Sequence, residues 1–150
     1  MFRKKYKAQT LVEVTMSIGI AVIVVVALVV LATSALRNAQ ESLRKSESSK
    51  FANAGIEAVI FYKNVKGFSG MKEGSYSINN TDVGSTLDYN TNKDNYVTIT
   101  SPSGLSYQRN IKVVTSIASP GSLDVTSTVK WQSTQGTKMS QVNRKITDWR

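Results

Sequence analysis

Hydrophobic and polar positions follow three successive patterns along this chain. From Val14 to Leu36 no residue carries a formal charge, and Ile, Val, Leu and Ala dominate. At 1.5 Å per residue, such a helix measures about 35 Å, enough to span roughly 30 Å of hydrocarbon. Val22 to Val26 are all β-branched, yet a backbone in lipid satisfies its own polar groups only as a helix or a closed barrel, and a lone segment has only the helix. Beyond this run, Leu36, Ala39, Leu43, Phe51, Ala54, Ala58, Phe61, Tyr62 and Val65 recur mostly at three- and four-residue steps. That spacing predicts an amphipathic helix continuing the first. Ser48 and Ser49 favour local backbone bonding, so two helices with a break near Ser48 are the alternative. Gly55 costs about 1 kcal/mol relative to Ala inside a helix, which points to close packing there. Gly67 and Gly70 end the pattern.

After Gly70 the period shortens to two. Tyr76-Ser77-Ile78, Tyr96 to Thr100, Tyr107 to Val113, Leu123-Asp124-Val125 and Val129-Lys130-Trp131 alternate apolar with polar residues, and Met139 to Ile146 does so more weakly. Turn residues separate them, including Ser119-Pro120-Gly121-Ser122 and Thr134-Gln135-Gly136. One-sided alternation indicates an antiparallel sheet with one wet face. Its dry face needs a cover, and Phe51, Ala54, Ala58, Tyr62 and Val65 form the one large apolar surface on offer. The predicted class is therefore α+β: a long N-terminal helix, transmembrane in one half and amphipathic in the other, packed on a small antiparallel sheet.

Charge refines the picture. The chain carries 19 Lys and Arg against 10 Asp and Glu, a net +9. Arg3, Lys4, Lys5 and Lys7 stand directly ahead of the apolar run. Without them the net charge falls to about +5, which weakens any nucleic-acid reading drawn from the total alone. By the positive-inside rule the same cluster keeps the N-terminus in the cytoplasm and sends residues 37–150 outward. Ala32-Thr33-Ser34 resembles a signal-peptidase site, but secretory signals have shorter apolar cores, of about 7–15 residues. The sequence contains no Cys and no His. Disulfides and thiol chemistry are thereby excluded, and so are the commonest general base and the commonest zinc ligand. The expectation is a protein without catalytic residues, metal or cofactor.

Glu13 does not fit a plain membrane anchor. It lies at the edge of the apolar run, between Val12 and Val14. A carboxylate at the centre of a bilayer costs about 2.5–3.5 kcal/mol on the insertion scale, and less near the interface. It either snorkels to the headgroups or meets a cation.

The segment Lys7-Ala8-Gln9-Thr10-Leu11-Val12-Glu13-Val14, followed by a long apolar helix, resembles the processing motif of type IV prepilins. That motif has a short basic leader, a small residue before the cut, and Thr-Leu-Ile/Val-Glu shortly after it. Two positions depart from the family: Ala8 stands where Gly is usual, and Gln9 where Phe is frequent. The resemblance is strong over residues 3–36 and implies cleavage between Ala8 and Gln9, usually followed by N-methylation of the new Gln9 terminus. It also implies that the Gln9 amine of one subunit neutralises Glu13 of a neighbour, so that a costly charge sets the register of assembly. The implied fold is the pilin-like α+β arrangement already predicted from the pattern. The implied organisation is a leader at 1–8, a transmembrane helix at 9–36, an amphipathic helix at 37–66 and a β-rich head at 67–150.

The implied function is that of a structural subunit, most simply a minor pilin, of a surface filament. The implied partners are other pilin subunits, a prepilin peptidase, an inner-membrane assembly platform and, before assembly, membrane lipid. A pseudopilin of a secretion or DNA-uptake machine would use the same mechanism. A membrane-anchored binding domain is the alternative of another class.

Three smaller constellations stand beside this one. Asp88 to Asp94 opens like a calcium loop, but Lys93 stands where that loop needs Gly and Ile99 where it needs Glu. A site using Asp82, Asp88 or Asp94 remains open beside the favoured reading, a solvated turn. Asn79-Asn80-Thr81 fits the N-glycosylation pattern, a match common by chance. Arg109, Lys112, Lys130, Lys138, Arg144 and Lys145, interleaved with Tyr107 and Trp131, suggest a DNA-binding face. The favoured reading is that they keep a wet sheet face and edge soluble. Trp131 and Trp149 are expected in core or subunit contacts.

Overall fold

The computed structural model describes the backbone of residues 5–78, 87–91, 95–116 and 121–148, and side chains from Thr10 onward. Helix α1 runs Lys5–Lys66. Six strands follow: β1 Gly74–Ser77, β2 Asp88–Asn90, β3 Val97–Thr100, β4 Ser106–Thr115, β5 Ser122–Ser133 and β6 Gly136–Thr147. The fold is the predicted α+β layout, a long apolar N-terminal helix with its later turns packed on a small antiparallel sheet. Two compact units divide the chain, Met1–Glu41 and Ser42–Arg150.

In the first unit every described side chain from Thr10 to Gln40 is exposed, including Leu11, Val12 and Ile18. This helix is long and apolar enough to cross a membrane. Its hydroxyls are satisfied locally, since Thr15 Oγ1 donates to the Val12 carbonyl at 2.9 Å and Thr33 Oγ1 to the Val30 carbonyl at 3.0 Å. Such back-bonding suits a segment surrounded by hydrocarbon, which offers no alternative partner.

In the second unit the sheet order is β2-β1-β4-β5-β6, with β3 also pairing β4. β1 and β3 share one edge of β4, β1 at Ile111–Val113 and β3 at Ser106–Arg109. All pairings are antiparallel. The period of two puts Tyr107, Ile111, Val113, Val125, Val129, Trp131 and Ile146 on the face toward the helix. There they are buried with Ala52, Ile56, Ala58 and Val59. The β5–β6 hairpin turns at Thr134-Gln135, where Gly136 takes a φ of 108° that only glycine adopts freely. Helix α1 stops at Gly67, whose N–H donates back to the Lys63 carbonyl at 2.8 Å while its φ of 78° leaves the helical region.

The helix is unbroken at Ser48, in line with the continuous reading, and Ser48 Oγ donates to the Lys45 carbonyl at 2.8 Å and is buried against the head. Other details depart from the sequence expectations. Leu123–Val125 and Val129–Trp131 belong to one strand, β5, and the weakly patterned Met139–Ile146 is the body of the equally long β6. Asp88 to Asn90, read as part of a solvated turn, form strand β2 instead.

The covering stripe is borne out in part. Ala58 is buried and Phe51 and Tyr62 pack half-buried against the core, but Val65 is 63% and Phe61 48% exposed, while Ser48, Ala52, Gly55, Ile56 and Val59 are buried. At about 100° per residue, the centre of the buried face is displaced from the expected stripe toward these residues. Gly55 explains the choice. A Cβ there would lie 2.6 Å from Ser127 Oγ and 3.2 Å from Ile111 Cδ1. The sheet therefore approaches the helix along its small residues, and the bulky Leu43, Phe61 and Val65 remain outside.

Candidate functional site

The sequence places its candidate chemistry at the start of α1. Ala8, Gln9, Thr10 and Glu13 all lie in helical backbone, so the peptide bond between Ala8 and Gln9 is one turn before Glu13. Thr10, Glu13, Val14, Ser17, Ile18 and Ala21 line one shallow recess along the helix surface, as their i, i+3, i+4 spacing requires. Ser17 stands one turn beyond Glu13, within reach of its carboxylate. Its Oγ instead donates to the Glu13 carbonyl at 2.8 Å. The Glu13 side chain is exposed and finds no hydrogen-bond or ion-pair partner among the described residues. A carboxylate so placed on an apolar helix is available to a cation from outside the chain.

On the head, the helix is tied to the sheet by polar contacts that sequence reasoning missed. The Glu47 carboxylate accepts from the Tyr107 hydroxyl at 2.7 Å and from Ser103 Oγ at 3.2 Å. The Tyr107 hydrogen bond is the main cause holding Glu47 below the ordinary carboxylate range, with burial opposing it. Arg109 is buried and donates to the Phe51 carbonyl at 3.3 Å and the Ile78 carbonyl at 3.2 Å. Desolvation lowers its guanidinium to about 10, which still leaves it cationic at neutral pH. Its position in strict alternation with Tyr107 and Ile111 was the signal that it points inward.

That placement removes Arg109 from the suggested DNA-binding face. The other cations divide as well. Cross-strand register puts Lys138 opposite Trp131 and Arg144 opposite Val125 on the helix side, whereas Lys112, Lys130 and Lys145 share the solvent side with Thr126, Met139 and Asp124. The six cations do not form one face. Trp131 fills the core beside Ala52, Tyr107 and Val129.

Asp82, Asp94, Trp149 and Asn79-Asn80-Thr81 lie outside the described residues, and Asp88 is exposed on β2. No group of three or more potential metal-ligating side chains occurs among the described residues. No protein-family model, curated protein or solved structure matches the chain.

Proposed function

We propose that this chain is the precursor of a type IV pilin-like filament subunit, most simply a minor one, cut between Ala8 and Gln9 and assembled through its apolar helix. The observation that carries this reading is Glu13: an exposed carboxylate, unpartnered among the described residues, one helical turn beyond Gln9 and flanked by apolar residues. Cleavage would convert the Gln9 amide into an α-amine, the cation that a neighbouring subunit's Glu13 lacks. The helix would first hold the subunit in the membrane with its N-terminus in the cytoplasm, then pack beside other subunits in an extracellular filament.

The exposed Leu43, Phe61 and Val65 support the same reading. They form an apolar stripe on the flank of the helix that the head leaves uncovered, a surface suited to a neighbouring subunit. The chain acts here as the substrate of a membrane peptidase and as a building block for an assembly platform, with no catalysis of its own.

The test is Glu13→Val. Losing one partner of a buried ion pair typically costs about 3–5 kcal/mol, so the variant is expected to be processed yet depleted from sheared filaments. If the carboxylate only snorkels, incorporation stays normal and the membrane-anchored alternative takes over.

A further inference from the structure

The sheet face turned away from the helix is built mainly from hydroxyls and amides. At one end of it a groove of about 280 Å³ is lined by Thr98, Ser106, Gln108, Lys130, Gln132 and Thr137, with the core residue Trp131 also bordering it. The lining comes from four strands, and register explains why it converges. Thr98 faces Gln108 across β3–β4, Gln108 faces Lys130 across β4–β5, and Gln132 faces Thr137 across β5–β6. Gln132 Nε2 donates to Thr137 Oγ1 at 3.0 Å, which links the two side chains across the hairpin. The Lys130 ammonium lies 4.0 Å from the centre of the Tyr96 ring. Among the described residues no carboxylate lines the groove.

We propose that this groove binds an acidic sugar residue of a glycan through the Lys130 ammonium and the surrounding hydroxyl and amide groups. Three features select that class of ligand. Hydroxyls and amides both donate and accept, so they match the alternating demands of a polyhydroxylated ring, and they lose less on desolvation than charged groups do. Covering Lys130 with a neutral ligand would leave an ammonium shielded from water without a counter-charge, whereas a carboxylate on the sugar supplies one. The size is also right: the groove lies just below the roughly 300–1,000 Å³ of pockets for drug-sized ligands, which suits one ring with its chain leaving through the open side.

A nucleic acid fits less well. Base stacking needs a free aromatic face. Lys130 already lies over the ring of Tyr96 beside the groove, and Trp131, which borders the groove, is only 5% exposed and packs in the core. The other solvent-side lysines, Lys112 and Lys145, sit further along the strands, opposite Thr126 and Asp124. Lys112 therefore serves as a control for charge alone.

The experiment uses the full chain in detergent micelles, titrated with trigalacturonate and, separately, with neutral galactotriose, while backbone amide resonances are followed. Trigalacturonate is expected to shift Thr98, Gln108, Lys130 and Gln132 saturably, with galactotriose at least about tenfold weaker. Lys130→Gln should weaken trigalacturonate by about tenfold, and Lys112→Gln by less than about twofold. The proposal is overturned by an absence of saturable shifts up to about 10 mM, by equal binding of the neutral trisaccharide, or by equal losses in the two lysine variants. Tighter binding of a thymidine oligonucleotide at the same resonances would overturn it too, in favour of nucleic acid.

Discussion

Gly55→Ala sets two known effects against each other at the closest contact between helix and sheet. In an exposed helix interior the change would stabilise by about 1 kcal/mol, because Ala has the better helix propensity. Here the new methyl would meet Ser127 Oγ at 2.6 Å and Ile111 Cδ1 at 3.2 Å. Ser127 is fully buried on β5, and its Oγ makes no hydrogen bond. Overpacking a core typically costs about 1–3 kcal/mol. The net expectation is a loss of up to about 2 kcal/mol.

Ser127→Ala removes both the obstructing oxygen and an unsatisfied hydroxyl. Alone it should leave stability unchanged or raise it by about 1–3 kcal/mol. With Ser127→Ala in place, Gly55→Ala should cost far less or become stabilising, a coupling of at least about 1 kcal/mol. Urea unfolding of a chain beginning at residue 37, in all four combinations, measures it. Additive effects within about 0.5 kcal/mol would refute the claim that Gly55 is selected by the proximity of Ser127.

Three further predictions concern the head. Ile56→Ala should destabilise it by about 2–5 kcal/mol, because it vacates packed volume. Val65→Ala, on the exposed flank, should stay within about 0.5 kcal/mol in the same unfolding assay. Glu47 is held below its ordinary value of 4.5 chiefly by Tyr107. A carboxylate with a lowered folded-state pKa contributes stability that is fully present above its unfolded value and is lost as pH falls through the folded one. The head should therefore weaken below about pH 4.5, and Tyr107→Phe should flatten that part of the stability profile.

Much of the architecture was legible because period is robust to detail. Three-and-four spacing followed by strict alternation gave the order of helix and strands, and Gly67 and Gly136 marked a helix end and a hairpin. The buried face of the helix was placed only in part, because size is a poor guide where two surfaces meet closely. Phe51, Ala58 and Tyr62 pack on the core as expected, but Ser48, Ala52 and Gly55 also turn inward where the sheet approaches most closely, while Phe61 and Val65 stay outside. β2 was hidden because Asp88-Tyr89-Asn90 has turn composition. Its place is secured by pairing Tyr89 with Tyr76, their rings 5.5 Å apart, and by Tyr89 donating to the Glu73 carbonyl at 2.9 Å.

Inward Arg109 obeyed the alternation, yet a cation at a core position is normally too costly to expect. The N-terminal candidate site is a reading of the sequence, because its motif and spacing are local. What the fold adds is that Ser17 is committed to backbone and leaves the Glu13 carboxylate exposed.

The most direct measurement is intact-mass and N-terminal peptide analysis of this chain recovered from sheared surface filaments. The account predicts its presence there, beginning at an N-methylated Gln9. Absence from filaments, or a chain beginning at Ser34 or Ala35 after ordinary signal-peptidase cleavage, would contradict it.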